Sequence, residues 1–287
     1  MNQIGLRKRS NWKKLLYQNQ PFPDNYVDES FLSQLKRNET VRPYKYWELV
    51  NDFSLILFHL TNLTLVILIF VSIYRFDWDS TYIVTSSSTI SLIGYVLWEL
   101  RLNSTNSKVL KIKSFTLVIF MFLLLSPVLK SLTRSTSSDS IWSISVILSI
   151  FNLMFHDYAI NVHTPFYKPI LSTNLSLSNA LVLASRLNST WQVFCFILFA
   201  IQSNTLLPLF DFSLRRYSPK LHYLLFTCLT LVVEYLMVHL TNLNAFLLWS
   251  SIQIFILLIL PGYFLFLQRY KNELSGPWDI AKPIIRS

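Results

Sequence analysis

Two carboxylates, Asp77 and Asp79, flank Trp78 and form the sharpest local motif of the chain. Carboxylates one residue apart can hold a divalent metal together with a sugar diphosphate, which is the chemistry of a sugar-transferring enzyme. The motif is also short enough to recur by chance. The competing interpretation is that it ends a helix and keeps charge at a membrane surface. We favour this second interpretation because the motif stands in a predicted loop of only a few residues.

His156 and Asp157 are a second titratable pair, predicted near the end of an apolar helix. Adjacent residues of a helix point in different directions, so the pair is not a preformed catalytic dyad. No third metal ligand occurs at helical spacing. The pair is interpreted either as polar groups at the membrane interface or as contacts to a lipid headgroup.

Three further polar residues fall deep within apolar sequence. Glu234 and His239 share one apolar stretch, and His59 lies in another. A charge at the bilayer centre costs roughly 2.5–3.5 kcal/mol on insertion scales. We therefore expect Glu234 to face other helices, to be protonated or to have a partner. We interpret His59 as a polar residue that packs between helices.

Eight apolar stretches position these groups, each close to the ~20 residues with which an α-helix crosses the hydrocarbon core of a bilayer. Backbone polar groups find no water inside lipid, so the predicted fold class is all-α, a polytopic transmembrane helical bundle. The fifth stretch is rich in serine and asparagine, which predicts that it lies inside the bundle. The predicted spans are 53–74, 82–100, 115–129, 141–160, 170–187, 191–210, 221–240 and 245–267.

Basic residues are very unevenly distributed among the segments between the spans. If both termini are cytoplasmic, 21 of the 25 lysines and arginines lie in cytoplasmic segments. The four on the other side are Arg75, Lys130, Arg134 and Arg186. The positive-inside rule therefore predicts about eight spans with both termini cytoplasmic.

The composition excludes several other classes of protein. The chain has 287 residues, of which 52% are apolar, and a net charge of +10. We attribute this charge to topology and headgroup contacts rather than to nucleic acid. Cys195 and Cys228 fall inside predicted spans, so no disulfide framework is indicated. With only four glycines, the sequence has no phosphate-cradling loop. Pro208 and Pro261 are predicted near helix ends, which does not favour the broken-helix binding site of a transporter.

The predicted spans divide the chain into three regions: a cytoplasmic arm (1–51), the transmembrane bundle (52–268) and a cytoplasmic tail (269–287). Within the arm, Pro21 and Pro23 predict an extended segment. Asp28 is expected to cap a short helix whose last turn is closed by Lys36 and Arg37.

Several sequence blocks resemble one membrane-protein family. Residues 12–17 (WKKLLY) and 20–28 (QPFPDNYVD) look like the opening of the PIG-C family. The match continues in order through 126–133 (SPVLKSLT), 138–142 (SDSIW), 183–187 (LASRL), 199–202 (FAIQ) and 276–279 (GPWD). These blocks span nearly the whole chain.

The resemblance implies a function that the residues alone do not reveal. PIG-C-like proteins are multi-pass subunits of the endoplasmic-reticulum complex that transfers N-acetylglucosamine from UDP-GlcNAc to phosphatidylinositol. This is the first step of glycosylphosphatidylinositol (GPI) anchor synthesis. In that family another subunit carries the sugar-nucleotide site, so the resemblance implies a non-catalytic chain without cofactor or metal. Its implied partners are the catalytic glycosyltransferase subunit, other membrane subunits and phosphatidylinositol.

Two other functions remain open from the residues: a lipid transporter or scramblase, and a luminal sugar transferase that uses Asp77 and Asp79. In the subunit interpretation no residue is assigned as catalytic. The expected lipid or partner contacts lie in the arm, at the cytoplasmic ends of the second and fourth spans, and in the tail. They are Phe22, Tyr26, Glu99, Arg101, His156, Asp157 and Trp278.

Overall fold

Helices make up nearly all of the regular structure in the part of the chain that is described. The computed structural model describes residues 17, 19–23, 26, 35–38, 44–102, 121, 127–128, 138–158, 169–272 and 274–275. The chain divides into two units, one formed by Tyr46–Gly262 and the other by Met1–Lys45 with Tyr263–Ser287.

The described residues form nine α-helices, some joined by π-helical turns. A π-helical segment, Gln202–Leu206, connects α5 to α6, and a second, Phe255–Ile259, connects α8 to α9. The helices are α1 (Tyr46–Phe76), α2 (Ser80–Leu102), α3 (Ser138–Met154), α4 (Ile170–Ala184), α5 (Thr190–Ile201), α6 (Leu207–Tyr217), α7 (Pro219–Leu240), α8 (Leu243–Ile254) and α9 (Leu260–Gln268).

These helices correspond to seven of the eight predicted spans, and the remaining one, 115–129, lies mostly outside the described residues. Four continuous helices are long and apolar enough to cross a bilayer. They are Tyr46–Phe76, Thr190–Tyr217, Pro219–Leu240 and Leu243–Gln268. The all-helical prediction is therefore confirmed at the level of fold class.

The predicted fourth span is too long at its end. It was expected to reach residue 160, but α3 ends at Met154. His156 and Asp157 follow in a non-helical segment, so the placement of this pair on a helix was wrong. The apolar pattern continues through Tyr158 and Ile160, but a polar cluster at His156 replaces helical packing there.

Each π-helical segment ends two residues before a proline, Pro208 or Pro261. A proline inside a helix cannot donate to the carbonyl four residues back, and its ring collides with that carbonyl. A wider turn relieves both problems, which gives the local π geometry a physical cause. Each proline lies in the first turn of the α-helix that follows the π-helical segment, α6 or α9, and the continuous helical segments extend to Tyr217 and Gln268.

Within the Tyr46–Gly262 unit, α1 is the central helix. It packs against α7 and contacts α3, α4 and α5, while α3 packs mainly on α4 and α2 on α5. Its buried face includes Phe70, which lies against Phe196 with ring centroids 5.6 Å apart. By contrast, α8 buries only Trp249 and Gln253. The apolar surface of α8 is therefore available to lipid or to partner helices.

The polar residues of α4 divide between its two sides. Ser172, Ser176 and Asn179 are buried at helical spacing, whereas Asn174 and Ser178 are exposed. Asn179 accepts a hydrogen bond from Ser145 of α3 at 2.6 Å. The expectation that this polar helix packs inside the bundle is thus met on its α3-facing side.

The smaller unit contains a two-stranded antiparallel ladder in which β1 (Lys36–Arg37) pairs with β2 (Leu274–Ser275). The prediction that Lys36 and Arg37 close a helix was wrong, because their backbone groups are paired with this strand. The arm also bends rather than staying extended, since the Tyr26 amide donates to the Pro23 carbonyl at 2.9 Å. This turn brings the rings of Phe22 and Tyr26 together, with centroids 4.5 Å apart.

Candidate functional site

The Asp77 and Asp79 motif lies between α1 and α2 at the Phe76 end of α1. Asp77 has a positive φ of 50°, which aspartate tolerates better than most residues. The Thr81 amide donates to the Asp79 carboxylate at 2.8 Å, so this side chain caps α2. Both observations agree with the interpretation in which the motif ends one helix and precedes the next.

A concavity of about 670 Å³ adjoins Asp79 along α2. Its polar lining includes Thr85, Ser86 and Thr89, whose hydroxyls donate to backbone carbonyls one turn back in the same helix. What the concavity presents is therefore mainly the aromatic and aliphatic surface of residues such as Trp78 and Tyr82. That surface suits lipid chains better than a sugar diphosphate.

A buried ionic network lies at the opposite end of α1, here called the Tyr46 end. We call it the His222 cluster, comprising Ser54, Asp211, Arg215 and His222. His222 Nδ1 lies 2.6 Å from Asp211 Oδ1, and Arg215 Nε donates to Asp211 Oδ2 at 3.1 Å. His222 Nε2 lies 3.3 Å from Ser54 Oγ. The cluster ties α1 to the end of α6 and the start of α7.

Serine, histidine and aspartate stand here in the order of a hydrolytic triad, but the hydrogen bonding does not favour that chemistry. A nucleophilic serine must donate its proton to the histidine. The single hydrogen of Ser54 is instead donated to the Asn51 carbonyl at 2.6 Å. Ser54 and His222 are also almost completely buried. The His222 cluster is therefore best understood as a clip between helices.

A second polar group lies deeper along α1. We call it the His59 cluster, comprising His59, Asn152, His156 and Ser172. The imidazole of His156 stacks on that of His59 with ring centroids 3.6 Å apart and an interplanar angle of 14°. Tyr158 meets both imidazoles edge-on. The cluster therefore joins α1 to the end of α3 and the start of α4.

The hydroxyl of Ser172 determines which atoms donate and which accept in the His59 cluster. Its hydroxyl donates to Asn152 Oδ1, which can only accept, and lies 2.8 Å from His156 Nδ1. Because the hydroxyl has one hydrogen, His156 Nδ1 must donate to Ser172. The bond from Ser172 to Asn152 Oδ1 holds the Asn152 amide with its nitrogen directed away from Ser172.

The two clusters adjoin each other. Ser54 and His59 are five residues apart on α1, which is about 7–8 Å along the helix axis. Arg215 of the His222 cluster lies within electrostatic range of His156. Charged and hydrogen-bonding groups from four segments of the chain thus converge along the half of α1 that begins at Tyr46.

Polar side chains further along α1 hold the π-helical segment in place. Asn62 donates to the Ser203 carbonyl at 3.1 Å and accepts from the Ser203 hydroxyl. Gln202 accepts from Ser87 at 2.7 Å and donates to Ser88 at 2.8 Å. These bonds connect α1 and α2 to the widened turn, which is a structural use of buried amides.

Glu234 has the partner that its depth in α7 requires. With the amide nitrogen of Gln253 directed toward α7, Gln253 donates to the Glu234 carboxylate at 3.2 Å and accepts from the Trp249 indole. This bond corresponds to one of the three alternatives expected for Glu234, a partner within the bundle. His239, in contrast, is exposed and packs edge-on against Tyr235.

The predicted contact residues are only partly brought together. His156 joins the His59 cluster, while its neighbour Asp157 is exposed. Phe22 and Tyr26 contact each other in the smaller unit. The side chains of Glu99 and Arg101, at the end of α2, and the whole of Trp278 lie outside the described residues. The contact roles of all these residues stay predictions.

Sequence reasoning missed most of the two clusters. Ser54, Asp211 and His222 were not singled out, because Ser54 and His222 are 168 residues apart. The only local signal was the spacing of Asp211 and Arg215, four residues apart on one helix face. Asn152 was not singled out, because a single asparagine in an apolar helix does not indicate which residues it contacts. In the described part of the chain, no three His, Cys, Asp or Glu residues are grouped to hold a metal ion.

Comparison with known proteins places the chain in a family. A family model described as phosphatidylinositol N-acetylglucosaminyltransferase matches residues 12–279. A Schizosaccharomyces pombe protein named as the GPI2 subunit of that enzyme is 36% identical over 95% of this chain and 86% of its own. A Homo sapiens protein, also named as a subunit of the enzyme, is 32% identical over 96% of this chain and 94% of its own. No solved structure matches. The chain therefore belongs to the GPI2 family of phosphatidylinositol N-acetylglucosaminyltransferase, which confirms the resemblance noted in its sequence blocks.

Proposed function

We propose that the chain is a membrane subunit of the complex that transfers N-acetylglucosamine from UDP-GlcNAc to phosphatidylinositol, in the endoplasmic-reticulum membrane. This is the first step of GPI-anchor synthesis. The observation that carries the proposal is the match over residues 12–279 to a family whose members are named as subunits of this enzyme. The buried polar clusters and apolar helices support a bundle built for the bilayer.

We assign the transfer chemistry to a partner subunit rather than to this chain. The triad-like residues at the Tyr46 end serve as a clip, and Asp79 caps a helix. Sequence outside the predicted spans comes in short segments, the longest being the arm. These features support a scaffold that places a catalytic partner and its lipid substrate.

The test is transfer from UDP-GlcNAc to phosphatidylinositol by purified material in vesicles. We expect the pure chain to be inactive and the complex containing it to be active. Removal of this chain from the complex should abolish or strongly reduce activity. Robust transfer by the pure chain would overturn the assignment.

We further propose eight spans with both termini cytoplasmic. The proximity of segments predicted on the same side supports this arrangement. Tyr223, after the basic segment that ends α6, donates to Asn51 near the start of α1 at 2.7 Å. At the other end, the Trp191 indole donates to Thr81 at 3.1 Å. Tags at residues 1 and 287 should both be accessible to protease in sealed microsomes, and protection of either one would contradict the count.

The arm is proposed to contact a partner subunit or the membrane surface through Phe22 and Tyr26. The turn closed by Pro23 holds the two rings together before binding, which lowers the entropy cost of association. Replacing both residues with alanine should reduce recovery of the assembled complex while membrane insertion of the chain is unchanged. Full recovery would show that the arm is only a tether.

A further inference from the structure

Three buried polar atoms of the His59 cluster have no hydrogen-bond partner within the described structure. They are both ring nitrogens of His59 and the amide nitrogen of Asn152. The Asn152 side chain lies near His59, but the two do not reach the geometry of a hydrogen bond. His59 is 3% exposed and Asn152 is fully buried. Leaving such groups unpaired costs free energy, because inside a bilayer no solvent forms the lost hydrogen bonds. A ligand that pairs with these atoms would recover this free energy.

The class of ligand that would pair with these atoms follows from the donors and acceptors that they offer. The Asn152 amide nitrogen only donates, and a neutral imidazole offers one donor and one acceptor. A metal ion needs lone pairs and cannot use the Asn152 donors. Hydroxyl groups both donate and accept, so neighbouring hydroxyls on one ring satisfy the whole set. The unpaired atoms thus favour a polyhydroxylated ligand.

The site lies well inside the helical bundle, which favours a ligand that arrives with a membrane lipid over a soluble sugar. Phe70 of α1 contacts Trp142 near the start of α3, and His59 contacts His156 just beyond its end. The two helices therefore run antiparallel, and α3 ends level with His59, about 20 Å along α1 from Tyr46. With 17 and 15 residues, α3 and α4 rise only about 25 and 22 Å, less than the ~30 Å hydrocarbon core. The His59 cluster lies where these two short helices end.

His156 and Tyr158 cover the unpaired atoms, and both are partly exposed. They lie in the non-helical segment after α3. Its contacts include the ring stack, the hydrogen bond between His156 and Ser172, and the bond from the Tyr158 hydroxyl to the Leu153 carbonyl. The segment lies outside α3 and α4, so its displacement does not break the hydrogen bonds within either helix. A headgroup therefore has a route to His59 and Asn152 that does not require a helix to unfold.

We propose that His59 and Asn152, held in place by Ser172 and covered by His156, bind the hydroxyls of the inositol ring of phosphatidylinositol. This inference rests on the proposed function, which supplies the lipid. The residues act as binding groups for the acceptor lipid, and no proton transfer is assigned to them.

The test uses the assembled complex in phosphatidylcholine vesicles that contain graded fractions of phosphatidylinositol. His59→Phe keeps the ring that stacks on His156 and removes both nitrogens, and Asn152→Leu removes the amide. Each variant should raise the apparent KM for phosphatidylinositol roughly tenfold, with kcat and the KM for UDP-GlcNAc unchanged. An unchanged KM for phosphatidylinositol in both variants would overturn the site while leaving the proposed function intact.

Asn62→Leu is the matched control. Asn62 is a buried amide on the same helix, but it is fully partnered by the π-helical segment. Its loss should lower complex recovery without changing the KM for phosphatidylinositol in the fraction that assembles. An equal increase of that KM in all three variants would assign the effect to general misfolding and overturn the site.

Direct lipid retention separates failure of the site from failure of the proposed function. Wild-type complex from vesicles with equal phosphatidylinositol and phosphatidylglycerol should retain phosphatidylinositol preferentially, as measured by mass spectrometry. His59→Phe should lose this preference, whether or not the sample transfers sugar. Equal retention of both lipids by the wild type would overturn recognition of the inositol ring.

Discussion

The two polar clusters are close neighbours on α1, yet they differ in how many of their polar atoms have hydrogen-bond partners. In the His222 cluster, both ring nitrogens of the histidine and both carboxylate oxygens of Asp211 have partners. In the His59 cluster, neither ring nitrogen of His59 has a hydrogen-bond partner among the described residues. Both histidines are at least 97% buried, so burial does not explain the difference.

The polar groups of the His222 cluster hold helices together, whereas the unpaired groups of the His59 cluster are available to a ligand. A satisfied buried network stabilises one arrangement of helices and is strongly destabilised when one member is removed. An unsatisfied group costs stability in the unliganded state and is expected where binding compensates it. The two clusters should therefore respond in opposite ways to the same kind of substitution.

The largest effect is expected at Asp211. Asp211→Ala leaves Arg215 and His222 buried without their shared carboxylate, which should cost about 3–5 kcal/mol of folding free energy. Thermal melting and recovery of the detergent-purified chain measure this loss. Asp77→Asn, at an exposed carboxylate, is the control and should melt like the wild type. Equal melting of the Asp211 variant would show that the network contributes no stability.

The next largest effect is a difference in thermal stability between phenylalanine variants of the two histidines. His222→Phe breaks bonds to Ser54 and Asp211 and should cost about 1–3 kcal/mol. His59→Phe removes two unpaired nitrogens and preserves the ring stack, so its unfolding midpoint should equal or exceed that of the wild type. Parallel melting curves of the two variants, without added phosphatidylinositol, check this difference. Destabilisation of both to the same extent would remove the distinction between the clusters.

A smaller effect is expected from Ser54→Ala, which tests the role of the triad-like geometry. Loss of one hydroxyl hydrogen bond should cost about 0.5–1.5 kcal/mol. Activity of the assembled complex per mole should remain close to that of the wild type, because Ser54 is assigned to a clip. An assembled complex that is inactive with Ser54→Ala would require a catalytic role for this serine.

The smallest effect is expected at the Phe76 end. The double variant Asp77→Asn with Asp79→Asn keeps an oxygen that can cap α2, so stability should change by less than about 0.5 kcal/mol. GPI-intermediate synthesis in membranes with matched protein levels should also be unchanged. An inactive but fully assembled complex would favour the luminal sugar-transferase alternative instead.

Much of the helical layout could be predicted because it depends on local sequence. The start of α4 at Ile170 and the end of α7 at Leu240 coincide with the predicted span limits. Differences occurred at the end of α3, where tertiary packing overrode the apolar pattern, and beyond Pro208, where the helical segment extends to Tyr217 rather than ending near residue 210. The β1–β2 pairing could not be predicted, because its two strands come from opposite ends of the chain.

The candidate site was predictable only in fragments. The sequence indicated His59 and His156 as separate polar residues in apolar surroundings, each with a modest structural role. That the two rings stack at 3.6 Å, and that Asn152 and Ser172 complete the group, depends on how α1, α3 and α4 pack.

By itself, the sequence determined the membrane class, most helix limits and the family, because hydropathy, charge distribution and motif order are written along the chain. Only the tertiary structure decided which buried polar groups have partners. Hydrogen bonding depends on atoms a few ångströms apart, and His222 and Ser54 reach that distance across 168 positions of sequence. The same packing gave His222 two partners and left His59 with neither nitrogen paired in the described structure.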